Sequence, residues 1–324
     1  MKNVFSDMHH NSLWTSLEFL FEKRLGYNLY RPIGMEWYPK YWGIGEPYGE
    51  LGHLTANQYL GHNTLDEKGI TLEKFKEIPI DIVIASVPQN IKPYKELVAQ
   101  YHPEAKFVFQ MGNMFHEVMN NMHEIPNLLA STIEFGVPAT CNAVFYHQEF
   151  SLEVFKPQGK KPQNKMASFV NCLPQTGYID KFRELKSQLS EFDIKMYGAS
   201  CDDGIIGTEQ EIADIMNECK FGIHLKYGSD GYGHVAHDWF ACGKPTIINY
   251  LEYKDKMLGK LLIPEETCIP LDFNTNVSEI VNKIRSISDT EYEHMCKRCY
   301  EKFKEVVNFD KEEIALRHFV EHLI

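Results

Sequence analysis

The chain predicts an α/β protein of two Rossmann-like domains, on three observations. Apolar runs of strand length alternate with segments of helical periodicity, the pattern of a parallel sheet covered on both faces. A polar stretch rich in Pro, Gly and Lys, residues 156–165, interrupts that alternation near the middle and reads as an interdomain linker. Finally, 324 residues are enough for two cores of ordinary size.

Residues 3–5 read as the first strand and 7–11 as a polar loop. Residues 12–25 form a helix with Leu13, Leu17, Leu20, Phe21 and Leu25 on its apolar face, and Gly26 stops it. In a doubly wound sheet the loop after a strand's carboxyl end opens toward the ligand crevice. His9 and His10 are therefore cleft candidates, with His10 the candidate catalytic group; the plain alternative is two solvated loop histidines. Residues 30–48 hold Arg31, Glu36, Trp37 and Trp42 among many aromatics, prolines and glycines. Such flat faces suit stacking on a sugar ring or base of an acceptor, or else they form the core of a long ordered loop. A helix at 71–77, a buried strand at 81–87, a helix near 94–101, a strand at 106–111 and a helix around 114–122 follow. The turn before that last helix makes His116 a further cleft candidate.

After the linker come a strand at 166–171, a helix at 178–189 and a strand at 194–197. Thr208 and Glu211 make a Thr-x-x-Glu capping box on a helix running to about Cys219. The organising stretch is next. A strand-like run at 221–225 leads into the turn Asp230-Gly231-Tyr232-Gly233, then into the short helical segment His234-Val235-Ala236-His237-Asp238. Gly243 and Pro245 stop that helix, and Thr246-Ile247-Ile248 starts another strand. A Gly-rich turn opening a helix after a strand offers free N–H groups and a favourable dipole to an anion. Gly231, Gly233, His234 and His237 are the candidate binding residues there. The carboxylates Asp230 and Asp238 bracket the turn, so the ligand expected is part phosphate and part polyol, such as a nucleotide sugar. From Glu279 on the chain is mostly helical and charged.

The net charge of −12 is spread evenly, 11 basic against 17 acidic residues in 1–150 and 22 against 28 in the remainder. That balance argues against a general electrostatic grip on nucleic acid or on an anionic membrane. The N-terminus lacks the apolar core of a signal peptide, and no window reaches the apolar length of a membrane span. Eight scattered cysteines suit reduced thiols, so a cytoplasmic protein is expected. Cys296-x-x-Cys299 has no second pair to complete a zinc site, and Asp202-Asp203 reads as a solvated loop. No metal is expected.

Residues 230–247 resemble the signature of retaining glycosyltransferases with the two-domain GT-B fold, the group 1 or family-4-like class. The pattern is acid, Gly, aromatic, Gly, a second acid eight positions on, then Ala-Cys-Gly-x-Pro, with Asp here at both acidic positions instead of Glu. Residues 152–157, Leu-Glu-Val-Phe-Lys-Pro, are similar to the second half of the family's close of the N-terminal domain. The resemblance implies two Rossmann-like domains facing a cleft, with a C-terminal helix crossing back to the first. The boundaries are then 1–157, a linker at 158–165, 166–300, and 301–324 for the returning helix, buried through Phe303, Val306, Val307, Phe309, Ile314, Leu316 and Phe319. It further implies that Asp230 contacts the donor sugar and Asp238 the ribose hydroxyls. The Arg and Lys that the family places against the leaving diphosphate fall on Cys172 and Thr176. Lys226, at the end of the preceding strand, is the cation expected in their stead. The implied reaction is metal-independent transfer from a nucleotide diphosphate sugar, first of all a UDP-sugar used as co-substrate, to a hydroxyl of a glycan, small molecule or other acceptor. No cofactor would be permanently bound, and configuration would be retained. Three alternatives stay open: a GT-B nucleotide-sugar 2-epimerase, a silent nucleotide-sugar-binding module, and a transferase acting on a modified DNA base.

Overall fold

The apolar runs form two parallel sheets in the computed structural model of the chain, which describes residues 1–7, 11–33, 37, 68–226 and 230–324. Two units result, Met1–Phe150 with Phe309–Ile324, and Ser151–Asn308.

The first unit's strands are β1 (Asn3–Ser6), β2 (Asn28–Pro32), β3 (Gly69–Ile70), β4 (Ile82–Ala85), β5 (Lys106–Met111), β6 (Asn127–Ala130) and β7 (Asn142–Phe145). Among the described residues they pair in parallel in the order β3-β2-β1-β4-β5-β6-β7. Residues 82–85 are buried without interruption, as a strand covered on both faces requires. The chain builds outward from β1 to β3 and then returns to lay β4 on the other side of β1. The carboxyl ends of β1 and β4 are therefore a topological switch point, where open α/β sheets receive ligands. The segment 30–48, expected as loop, begins inside β2, where Asn28, Leu29 and Tyr30 pair with Asn3, Val4 and Phe5. Trp37 belongs to the core: it is fully buried, stacks on Phe5 at 5.1 Å and donates Nε1–H to Ile70 O at 3.2 Å. Glu36 and Trp42 lie outside the described residues. The helix expected at 12–25 is an α-helix, Asn11–Leu17, that widens into a π-helical stretch, Glu18–Arg24, before Gly26 turns out of it at φ 69°.

The terminal helix Phe309–Glu321 joins this unit. Leu316, Phe319 and Val320 pack with Leu13, Trp14, Leu17 and Val144, and Phe309 meets Phe150 edge-on at 5.6 Å. Arg24 clamps the helix, bonding Glu313 at 2.6 Å and Asp310 at 3.0 Å while it grips Glu149 at 2.6 Å. His147 bonds Glu312 at 2.7 Å. Ile314, expected on the buried face, is 73% exposed; two residues before Leu316 it stands on the opposite side of the helix. Residues 301–306 end the helix Asp289–Val306 of the second unit, so the returning segment starts at Phe309, later than the expected 301.

The second unit's strands are β8 (Lys165–Ser168), β9 (Asp193–Met196), β10 (Phe221–His224), β11 (Thr246–Ile248) and β12 (Cys268–Pro270). They pair in parallel in the order β12-β11-β10-β8-β9. The Thr208–Glu211 capping box forms and starts the helix Glu209–Glu218. Here too the winding reverses, between β8 and β10, so the carboxyl end of β10 stands at this sheet's switch point. Among the described residues no helix is long and apolar enough to cross a membrane.

Candidate functional site

Strand β10 ends at His224, and Leu225-Lys226 carries the chain off the carboxyl edge toward the turn at Asp230. The helix His234–Ala241 starts behind Gly233, which adopts φ 70° and supplies no side-chain cap. Glycine is required twice over at this position. Its backbone is left-handed, and a Cβ there would lie 2.6 Å from Leu258 Cδ2. The first-turn N–H groups therefore have no side-chain acceptor at the N-cap, as an anion-binding helix end needs. Close packing continues behind the turn, where a Cβ on Gly222 would meet Trp239 at 2.5 Å.

The two acids of the turn have opposite surroundings. Asp230 has a side chain only 8% exposed, and three neighbours hold it. Lys226 Nζ donates to Oδ1 at 3.0 Å, Tyr253 Oη–H donates to Oδ2, and His224 Nε2 lies 3.8 Å from Oδ2. Burial pushes the carboxyl upward, but Lys226, His224 and Tyr253 outweigh it and hold the group well below the usual carboxylate range. Because Tyr253 donates to Asp230, His224 donates its Nε2–H to the Tyr253 oxygen, at 3.0 Å. Burial pulls the His224 pKa down, with Asp230 opposing, so the ring works as a neutral donor. Burial, then the Asp230 charge, raises the Tyr253 phenol well above its ordinary value. Lys256 closes the ring behind, donating to the Asp230 carbonyl and to Glu252 at 2.7 Å.

Asp238 is the contrasting case. Its residue is 4% exposed, and Oδ1 has no hydrogen-bond partner among the described residues. The nearest base is His234 Nε2, 3.6 Å from Oδ1, longer than a hydrogen bond. Burial first, and Glu209 second, raise its pKa well above the ordinary carboxyl value. A buried carboxyl with one oxygen unpartnered among the described residues is a group prepared for hydroxyls that arrive with a ligand.

Of the expected site residues, the structure brings Asp230, Lys226 and Gly233 together, with His234 directly after Gly233 and Asp238 one helical turn beyond His234. Gly231 is buried in the turn. His237 faces the core, stacked on Tyr232 at 4.1 Å, with Nδ1 3.1 Å from Gly233 O. His10 lies outside the described residues, and His116 is exposed at the start of the helix His116–Asn120. Lys226 is paired with Asp230, so its charge is shared with that acid. In the loop after β8, Cys172 is left-handed at φ 56° and Thr176 Oγ1 bonds Leu173 O at 2.9 Å, so neither offers a cation. Asp203 Oδ2 accepts from Met196 N at 2.8 Å and serves its own turn. The eight cysteines are free thiols, and no metal-holding cluster of His, Cys, Asp or Glu occurs among the described residues.

Sequence reasoning missed His224, Tyr253 and Lys256. They come from β10 and from the segment after β11, so no local spacing joins them. It also missed Asp7, at the switch point of the first sheet. Asp7 is 2% exposed and accepts from Ser86 N at 2.9 Å, from Ser86 Oγ and from Asn90 Nδ2 at 3.0 Å. Burial raises its pKa to about 6, against those bonds.

No protein-family model matches the sequence, and no curated protein matches it. Solved structures do resemble the chain. Anabaena Alr3699/HepE in complex with UDP and glucose superposes with a TM-score of 0.69 at 12% identity, covering 100% of both chains. A glycosyltransferase from Rickettsia africae ESF-5 gives 0.62 at 11% identity over 99% of each. An α-glucosyltransferase in complex with UDP-glucose and DNA containing an abasic site gives 0.59 at 9% identity, covering 98% of this chain and 99% of that one. At such identities the likeness is one of fold, and the fold it shows is the two-unit GT-B arrangement of parallel sheets.

Proposed function

We propose that the chain is a glycosyltransferase that moves a sugar from a nucleotide diphosphate sugar, a UDP-sugar in the first place, to a hydroxyl acceptor. The observation that carries this is Asp238, a buried carboxyl without a partner on Oδ1, one turn into a helix whose N-terminus is uncapped. That pairing suits a ligand joining a diphosphate to a diol, as a nucleoside diphosphate does. The neighbours in complex with UDP or UDP-glucose support the same class.

In this reading the helix end at Gly233 and His234 receives the diphosphate, with backbone N–H groups stabilising the charge that develops on departure. Asp238 accepts from the ribose hydroxyls. Asp230 stays ionised, and each of its oxygens keeps a lone pair beyond the Lys226 and Tyr253 bonds, available to a sugar hydroxyl. Lys226, 37% exposed at its side chain, is shared between Asp230 and the diphosphate. No side chain is assigned as base to the acceptor. Transfer would then run on the donor's own face with retained configuration, driven by positioning and charge stabilisation.

Thermal denaturation against a panel of nucleoside diphosphates and their sugars tests the reading, because a ligand selective for the native state raises its melting temperature. UDP or a UDP-sugar should shift the wild type, and Asp238→Ala should abolish the shift. Absence of any shift with wild type would reject the proposal. A second reading, a binding module without turnover, draws on the cation-free loop at Cys172 and Thr176. A nucleotide shift with no donor hydrolysis over hours would favour it. Action on DNA, suggested by one neighbour's complex, is disfavoured by a net charge of −12.

A further inference from the structure

The two donors that hold Asp230 reach it from opposite sides of one buried amide. Asn249, the first residue after β11, is fully buried. It occupies the N-cap of the short helix Tyr250–Tyr253, yet its side chain does not cap that helix, the usual use of an asparagine there. The amide is turned instead onto Lys226. Its Oδ1 accepts from Lys226 N at 3.2 Å, and its Nδ2 donates to Lys226 O. A backbone N–H can only donate and a carbonyl can only accept, so these two bonds fix which end of the amide is oxygen. The Tyr178 phenol, itself buried, adds a third bond to the same side chain.

Backbone pairing between β10 and β11 ends at His224 and Ile248. The Asn249 side chain carries the pairing past that point to Lys226, and so fixes the root of the lysine whose Nζ donates to Asp230 Oδ1 at 3.0 Å. On the other side, the Asn249 carbonyl accepts from Glu252 N at 3.2 Å, in the turn that delivers Tyr253 to Asp230 Oδ2. One residue thereby joins both arms. Its near relatives lack the means: aspartate has no donor, leucine neither group, serine a single hydroxyl, and glutamine sets both groups one methylene further out.

We infer that Asn249 is a positioning residue for Asp230, setting through Lys226 and Tyr253 the spacing of the two donors between which that carboxylate stands. Its link to a sugar rests on the glycosyltransferase reading; the hold on Lys226 does not. Hydrogen exchange on the full chain without ligand reads that hold. The Lys226 amide should exchange at least tenfold more slowly in wild type than in Asn249→Ser. An unprotected Lys226 amide in wild type would overturn the inference whether or not the variant folds. Hydrolysis of UDP-glucose reads the consequence. Burial pushes the Asp230 carboxyl up, and Lys226 leads the neighbours that hold it down. His224, Tyr253 and, at its carbonyl, Lys256 with Glu252 complete the surroundings. Loosening Lys226 therefore raises the Asp230 carboxyl, and activity that needs the carboxylate is lost as pH falls. The ratio of Asn249→Ser to wild-type kcat/KM should drop at least tenfold from pH 7.5 to pH 5. The double variant with Lys226→Met should fall no further than Lys226→Met alone. A ratio constant across pH, or losses that multiply, would mean a merely structural role and overturn the inference. Wild type with neither hydrolysis nor a UDP melting shift would instead reject the donor reading, and the exchange comparison would still decide the hold on Lys226.

Discussion

Replacing Asp238 by Asn separates what the site costs the fold from what it gives the ligand. The carboxyl is buried and its pKa stands well above that of an exposed aspartate. The folded state therefore holds a proton that the unfolded chain gives up near pH 4. Between those two pKa values the native protein binds more protons, so its stability falls as pH rises, by up to about 1.4 kcal/mol per pH unit. Asn cannot ionise, so the variant escapes this slope. With about 2–4 °C of melting temperature per kcal/mol for a unit of this size, the variant should gain up to roughly 3–6 °C on wild type for each unit of pH within that window. Nucleotide binding should move the other way. Hydrogen bonds to a charged acceptor contribute about 1.5–3 kcal/mol each, so losing one weakens binding about 10- to 150-fold. Melting scans from pH 5 to 9, with and without UDP, read both effects. A variant whose melting curve parallels wild type at every pH, or that binds UDP as tightly, refutes the account of Asp238.

Three further substitutions probe the surrounding frame. Gly233→Ala forces a left-handed alanine, about 1–2 kcal/mol, with its Cβ 2.6 Å from Leu258; urea denaturation should show a loss of several kcal/mol. Tyr253→Phe removes the donor that fixes Asp230 and the partner of His224. Donor hydrolysis should slow at least tenfold while UDP affinity stays within about threefold, and equal losses in both would show a merely structural role. Asp7→Asn should flatten the decline in stability between about pH 4 and 6, which follows from a folded pKa raised to about 6; that displacement is worth about 3 kcal/mol over the window.

What the sequence disclosed and what it hid follow from the range of the interactions. The turn and helix at 230–241 were legible because glycine conformation, helix start and helix stop are local. So was the Thr208–Glu211 box, whose partners are one turn apart. The short strands β3 and β12, two and three residues long, carry no periodicity, and only their neighbours make them strands. Trp37 was ambiguous for the same reason: its stacking on Phe5 and its edge contact with Phe75 are tertiary, and no local pattern separates a core tryptophan from one that stacks on a ligand. In the site, the motif located both acids but not their difference. Lys226 sits four residues before Asp230, a spacing that by itself does not announce a pairing, and Tyr253 arrives from beyond the next strand.

That difference has a further consequence for ligand binding. Asp230 is already ionised and bonded, so a ligand changes its protonation little. Burial holds the Asp238 proton more tightly than an exposed aspartate holds its own, and a diol that donates to it stabilises the carboxylate. Its pKa should then fall on binding, and a proton should leave for the buffer. By linkage, affinity tightens as pH rises, up to tenfold per unit, until the pKa of the free protein is passed. Phosphate's own ionisation near pH 6 is avoided by working above about pH 7.5. Titration calorimetry of UDP in two buffers of unlike ionisation enthalpy counts the released protons directly. The expected count lies between zero and one for wild type and is zero for Asp238→Asn. Proton uptake, or equal release by both proteins, would mean that the ribose diol is held elsewhere and that Asp238 is a buried core acid.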